Sequence, residues 1–166
     1  MMLIMTSGCK DTGNGNQPKD LTAAEIEENL LQANKHAVGT EDEQIRNFIQ
    51  RYGWKMNETG TGLRYMIYKR GDGPLAKTGQ IASLRYEIRL ITGDIVYTSS
   101  EKGFKEFLIG KGGVESGLEE GILFLHQGDK AKLILPSHLA YGLIGDQDKI
   151  PAKSTIIYDI ELVKLK

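Results

Sequence analysis

Ala82-Ser83-Leu84-Arg85-Tyr86-Glu87-Ile88-Arg89-Leu90 puts an apolar side chain at every second position and a polar or charged one between. That period of two is the pattern of a strand with one buried and one wet face. Reading outward, Thr92-Gly93-Asp94 turns the chain into a second strand, Ile95 to Ser100, and Phe107 to Ile109 makes a short third. On the other side, Gly71-Asp72-Gly73-Pro74 is a turn preceded by Leu63, Tyr65 and Ile67, which alternate with Arg64 and Met66. Downstream, Ala131, Leu133 and Leu135 alternate with lysines until Pro136, and Ile156, Tyr158, Ile160 and Leu162 share one face of a last strand. Ser116 to Leu125 has no period of two and reads as a short helix. Several antiparallel strands with one helix to cover their apolar face make an α+β domain.

Upstream of the strands the pattern is helical. Thr22 with Glu25 has capping-box spacing, followed by Ile26, Leu30, Ala33 and Ala37. Gly39 ends this first helix in the reading. Thr40 with Glu43 opens a second, carrying Ile45, Phe48, Ile49 and Tyr52 and stopped by Gly53. The two apolar stripes must cover either the following domain or a second copy of the chain, so residues 21–53 are a candidate homodimer surface. Lys10 to Asp20 holds almost nothing that could be buried and reads as a flexible linker.

The 166 residues suit one domain with an appendage, and 21 basic against 22 acidic residues give no basic face for nucleic acid. Cys9 is the single cysteine and cannot form an internal disulfide, and His36, His126 and His138 lack metal-site spacing. Leu3-Ile4-Met5-Thr6-Ser7-Gly8-Cys9 resembles the end of a bacterial lipoprotein signal peptide. That resemblance makes Cys9 a lipid-attachment site; the plainer alternative is a free surface thiol. No metal and no cofactor are expected.

The glycines at 110–113 fit no nucleotide fingerprint, because the sixth position from Gly110 is Glu115 and Gly112 follows Lys111 where a Walker loop needs Ser or Thr. The histidines have no nucleophile context. Adjacent Glu119 and Glu120 near a helix start more often complement its dipole than do acid/base work.

One ordered series does fit a family: Leu108-Ile109-Gly110-Lys111, Val114, Gly117-Leu118-Glu119-Glu120-Gly121, Gly128-Asp129-Lys130-Ala131-Lys132-Leu133, Ala140-Tyr141-Gly142, and Ile150-Pro151 with Ile156-Ile157-Tyr158-Asp159-Ile160-Glu161-Leu162. Each element alone is weak; the whole series in this order and spacing is specific. From about Gly62 to Lys166 the chain resembles the FKBP-type peptidyl-prolyl cis-trans isomerases, and as a whole it resembles small FKBP-type bacterial lipoproteins. The resemblance implies a curved antiparallel β-sheet wrapped over a short helix, preceded by a short helical arm. The implied layout is a signal-peptide remnant over 1–9, a linker over 10–20, the arm over 21–57 and the isomerase domain over 58–166.

The implied activity is non-covalent cis-trans isomerisation of Xaa–Pro bonds. Amide resonance sets a barrier of ~18–20 kcal/mol, and twisting destroys that resonance. The planar amide is the more dipolar form, so a water-poor apolar pocket disfavours it relative to the twisted state, and tighter binding of the twisted form is sufficient catalysis. By resemblance the walls are Tyr86, Tyr97, Phe107 and Tyr158, the floor is Leu118, and the rims are Val114 and Ile150. The backbone N–H of Glu115 would hold the carbonyl before the proline, and the Tyr141 hydroxyl would bond substrate backbone. For the isolated strand aromatics the plain alternative is core packing.

The chain also departs from the family. Tyr97-Thr98 stands where the pattern has Phe-Asp, Lys105 where it has an aromatic wall, Leu118 where the best-known members have Trp. Glu115 and Lys149 stand where it has isoleucine, and Asp146 where it often has His. Phe104 could replace the missing wall if its strand slipped by one. These departures argue against tight macrolide binding. The expected role is therefore a folding helper for proline-containing clients in the cell envelope, lipid-anchored to a membrane, the outer one for preference, and facing periplasm or surface. The alternative is a low-activity or inactive module that binds unfolded chains or a partner protein.

Overall fold

The computed structural model describes residues 22–166; Cys9 and the 10–20 linker lie outside the described residues. The chain divides into two units, Met1–His36 and Ala37–Lys166. Helix α1, Ala23–Tyr52, opens on the expected capping box, with the Thr22 N–H donating to Glu25 Oε2 at 2.8 Å and the Glu25 N–H to Thr22 Oγ1 at 3.3 Å. It ends on the expected glycine. Gly53 takes φ 64°, and the N–H groups of Gly53 and Trp54 donate to the carbonyls of Gln50 and Ile49, both at 3.1 Å, which is the Schellman pairing.

The two-helix reading of this arm is corrected: Gly39 and Thr40 lie inside one continuous helix. Gly39 does not adopt the left-handed conformation of a helix stop. An interior glycine costs only ~1 kcal/mol, whereas a break forfeits several backbone hydrogen bonds and requires a second nucleation.

Seven antiparallel strands follow: β1 Asn57–Glu58, β2 Arg64–Lys69, β3 Ile81–Leu90, β4 Ile95–Thr98, β5 Lys105–Leu108, β6 Lys130–Leu135 and β7 Ile156–Leu165. Their order is β1-β2-β6-β7-β3-β4, with β5 also paired to β3. Register shifts at Ile67/Lys69, Ser83/Leu84 and Ile88/Arg89 bend the strands and increase their twist. The chain expected to continue as strand to Ser100 instead turns at Ser99 into a four-residue helix, α2 Ser99–Lys102, closed by Gly103 at φ 80°. The Ser99 hydroxyl there accepts the Tyr86 N–H at 3.2 Å.

Helix α3, Ser116–Ile122, covers the inner sheet face with Leu118 and Ile122, both fully buried among Leu84, Ile88, Leu133, Tyr158 and Ile160. Its two buried glycines permit the approach: a Cβ on Gly117 would lie 2.5 Å from Leu135 Cγ, and one on Gly121 would lie 2.8 Å from Leu133 Cδ1. The outer sheet face is covered within the second unit. Ile45 and Phe48 of α1 pack on Ile134 and Ile157, with Ile49, Trp54, Met56 and Ile91 around them. Polar ties fix that contact: Glu41 accepts the Ser137 N–H at 2.7 Å and the Thr155 hydroxyl at 2.6 Å.

Candidate functional site

An open hollow of about 360 Å³ lies between Lys105 and Tyr141, walled by Gly112, Gly113, Val114, Glu115 and Ala140. Four elements deliver its parts. Lys105 opens β5, where pairing with β3 sets it opposite Leu84 and sets Phe107 opposite Ala82. Glu115 precedes α3 at φ −57°, ψ 139°, and its side chain makes no cap bond to the helix. Tyr158 sits on β7 opposite Ile88 of β3 and Leu133 of β6. Tyr141 follows the 3-10 turn Ser137–Leu139.

These residues meet at the Glu115 carboxylate, whose side chain is only 4% exposed. The Lys105 ammonium donates to Oε2 at 3.0 Å and Oε1 at 3.2 Å, and also to the Tyr158 hydroxyl at 2.8 Å. The Tyr158 hydroxyl in turn donates to Glu115 Oε1 at 3.0 Å, and the Tyr141 hydroxyl donates to the same oxygen. Burial alone would raise the Glu115 carboxyl. The Lys105 ammonium, the Tyr141 hydroxyl and the residue's own backbone N–H outweigh it and hold the group below the usual carboxylate range. The phenols respond in the opposite sense: burial, then the Glu115 carboxylate, pushes Tyr141 far above its usual range, and Tyr158 is raised likewise. The Lys105 ammonium also stands 5.4 Å from the Tyr158 ring centre and 5.9 Å from that of Tyr86.

A second acidic cluster flanks Tyr97. Its hydroxyl donates to Asp146 at 2.5 Å and Asp148 at 3.0 Å, and the Lys149 ammonium lies 5.3 Å from its ring centre. Asp146 also accepts the N–H groups of Asp148 and Ile150, which shapes the loop carrying buried Ile150.

Of the residues singled out from sequence, Val114, Glu115 and Tyr141 border the hollow. Tyr158 joins them through its hydroxyl, and Tyr86 lies beside Tyr158 at 6.3 Å between ring centres. Leu118 and Tyr158 are fully buried, Phe107 and Ile150 nearly so, and all four belong to the main core together with half-buried Tyr86, Tyr97, Val114 and Tyr141. The β5 strand does not slip. Lys105 keeps the inward place, and Phe104 stands outside the strand, exposed, with the Arg85 guanidinium 5.6 Å from its ring centre. Glu119 does more than complement a helix dipole: its carboxylate accepts the N–H groups of Gly110 at 2.7 Å and Gly112 at 2.9 Å.

Sequence reasoning took Glu115 only for its backbone N–H and Lys105 only as a missing aromatic. The signal was available: two opposite charges at two positions where an apolar residue was expected. Asp148 carried no signal apart from lying near Asp146.

This geometry can be set beside known proteins. Residues 73–163 match the family model for the FKBP-type peptidyl-prolyl cis-trans isomerases. The probable FKBP-type peptidyl-prolyl cis-trans isomerase FkpA of Neisseria meningitidis serogroup B is 36% identical over 107 residues, which cover 64% of this chain and 39% of that protein. FkpA of Buchnera aphidicola subsp. Acyrthosiphon pisum is 30% identical over 96% of this chain and 70% of its own length. The crystal structure of FkpA from Escherichia coli superposes with a TM-score of 0.68 at 30% identity, covering 89% of this chain and 74% of that one. The chain thus spans about two-fifths of the Neisseria relative. A seven-stranded antiparallel sheet over a short helix, a family match across most of that sheet and a relative aligned along almost the whole chain agree: the chain belongs to the FKBP-type peptidyl-prolyl cis-trans isomerase family.

Proposed function

We propose that the chain is a prolyl cis-trans isomerase working without covalent chemistry in the hollow between Lys105 and Tyr141. The observation that carries the reading is the convergence of Val114, Glu115 and Tyr141 on one hollow, with Tyr158 and Tyr86 behind them, in a chain of this family. A proline ring set against Val114 and the tyrosine rings would leave water, and loss of water favours the less dipolar twisted amide. The charges in the wall do not prevent this, because Lys105 and Glu115 neutralise each other within hydrogen-bond distance. Rate acceleration is expected to be modest, since a lysine fills the place of an aromatic wall.

A protease-coupled assay on short Xaa–Pro peptides tests the reading. Rates above the uncatalysed exchange at micromolar protein support it; background rates reject it.

A second reading rests on the same lysine and on the engaged Tyr141 hydroxyl: a module that binds unfolded chains with little turnover. It predicts suppression of client aggregation, in a protein for which the peptide assay stays at background.

The cellular setting follows from the N-terminal sequence. We take the protein to assist folding of exported chains while anchored through a lipid on Cys9, in the outer membrane for preference, with no cofactor. Cys9→Ser should abolish partitioning with membranes, and unchanged partitioning contradicts the anchor.

A further inference from the structure

We propose that the hollow binds its substrate through a substrate N–H, with the Tyr141 oxygen as acceptor and Glu115 as the residue that fixes this polarity. The proposal rests on the isomerase reading above and adds which backbone group the site selects.

A phenol has one proton and two lone pairs. The Tyr141 proton is committed to Glu115 Oε1, so the hydroxyl can offer a substrate only its lone pairs. Among the described residues no donor reaches the Tyr141 oxygen, and Tyr141 is half-buried at the edge of the hollow, so those lone pairs remain available. Tyr158 cannot take this role. It is fully buried, and its oxygen both accepts from Lys105 and donates to Glu115. Donating to a carboxylate also polarises the Tyr141 oxygen and strengthens it as an acceptor.

Two other donors at the hollow, the Lys105 ammonium and the Gly112 N–H, are engaged in the same way. Lys105 is satisfied by both Glu115 oxygens and the Tyr158 hydroxyl. The Gly112 N–H is held by Glu119. Asp146 adds further negative potential at Tyr141. A substrate carbonyl arriving at the Tyr141 oxygen would meet lone pairs or would have to displace the Glu115 carboxylate from the Tyr141 proton. A substrate N–H meets a ready acceptor. Proline has no N–H, so the group must come from a flanking residue.

The test uses four forms of the full chain: wild type, Tyr141→Phe, Glu115→Leu and Glu115→Gln. Each is assayed on one Xaa–Pro peptide and on two ester analogues, one lacking the N–H of the residue before the proline and one lacking that of the residue after it. Exchange rates are read by NMR and affinities by titration. The readout is the amide-to-ester ratio, which a loss of packing alone would leave unmoved.

The expected result is a wild-type preference of about three- to tenfold for the amide over at least one ester. The preference should vanish in Tyr141→Phe and fall in Glu115→Leu, which frees the hydroxyl to donate. Glu115→Gln should keep most of it, because the amide oxygen can still take the Tyr141 proton. Wild-type ratios near one for both esters, or equal ratios in all four forms, overturn the proposal. If no form accelerates exchange but the binding ratios follow the expected pattern, the isomerase reading falls and the hydrogen-bond assignment stands. If the peptide neither exchanges faster nor binds, both fall.

Discussion

The Tyr141 hydroxyl donates to the carboxylate of Glu115, a contact that joins the loop after β6 to the residue that opens α3. Glu115 is thereby held by two phenols and one ammonium in a place nearly closed to water, and much of the site's behaviour follows from that carboxylate.

Lys105→Met should destabilise the fold by about 3 kcal/mol. Removing one partner of a buried ion pair costs ~3–5 kcal/mol, and the lower end applies because Lys105 keeps contact with solvent and both tyrosines remain. Removing both charges should recover part of the loss. Denaturant unfolding of Lys105→Met, Glu115→Leu and the double variant measures the coupling; strictly additive costs contradict it.

The same pair gives a pH dependence of stability. The folded Glu115 carboxyl titrates below its ordinary range, burial being outweighed by Lys105 and Tyr141. A group lowered in this way stabilises the fold above its unfolded value of ~4.3, and the contribution is lost as pH falls through the lower folded value. Below about pH 4 wild type should therefore lose stability more steeply than Glu115→Gln, which has no proton to take up there. Parallel pH profiles contradict the assignment.

Gly117→Ala sets helix propensity against packing. Alanine gains ~1 kcal/mol within a helix, but overpacking a core costs ~1–3 kcal/mol. The new Cβ would meet Leu135 Cγ at 2.5 Å and Leu139 Cβ at 3.1 Å, close to the root of both side chains, so packing should win. A net loss of about 1 kcal/mol in denaturant unfolding is expected, and a stabilised variant contradicts the helix–sheet geometry.

Ile26, Leu30 and Leu31 of α1 are 46%, 59% and 51% exposed, an apolar surface suited to a second copy of the chain. We propose that this surface pairs two copies: the wild-type chain is then expected to sediment as a dimer, and the double variant Ile26→Glu, Leu30→Glu as a monomer. Identical sedimentation of the two rules out this surface. Truncation at Asn57 is a poor alternative test, because it also removes Ile45 and Phe48 from the outer sheet face.

Most of the sheet was legible because period-two alternation records burial directly: Ala82, Leu84 and Ile88 are buried as their spacing requires, and so are Ile156, Tyr158, Ile160 and Leu162. The α1 boundaries were equally legible, since capping chemistry is local. What failed was the inference of a break from Gly39-Thr40, where a residue-level preference of ~1 kcal/mol yields to the cooperativity of the whole helix. The turn at Ser99 was hidden because Thr98 and Ser99 serve a strand end as readily as a helix start. The site was half legible. Family spacing pointed to Glu115, Tyr141 and Tyr158, but their meeting with Lys105 at the Glu115 carboxylate spans four separate elements, and no local pattern encodes that convergence.

The most direct test of the central claim is an NMR titration of isotopically labelled protein with an Xaa–Pro peptide, following cis-trans exchange in the peptide and the backbone amides around the hollow in the same sample. The account predicts faster exchange together with shifts centred on Gly113, Val114, Glu115 and Tyr141, both diminished in Tyr141→Phe. Exchange at the uncatalysed rate, or acceleration with shifts confined to another face of the sheet, contradicts it.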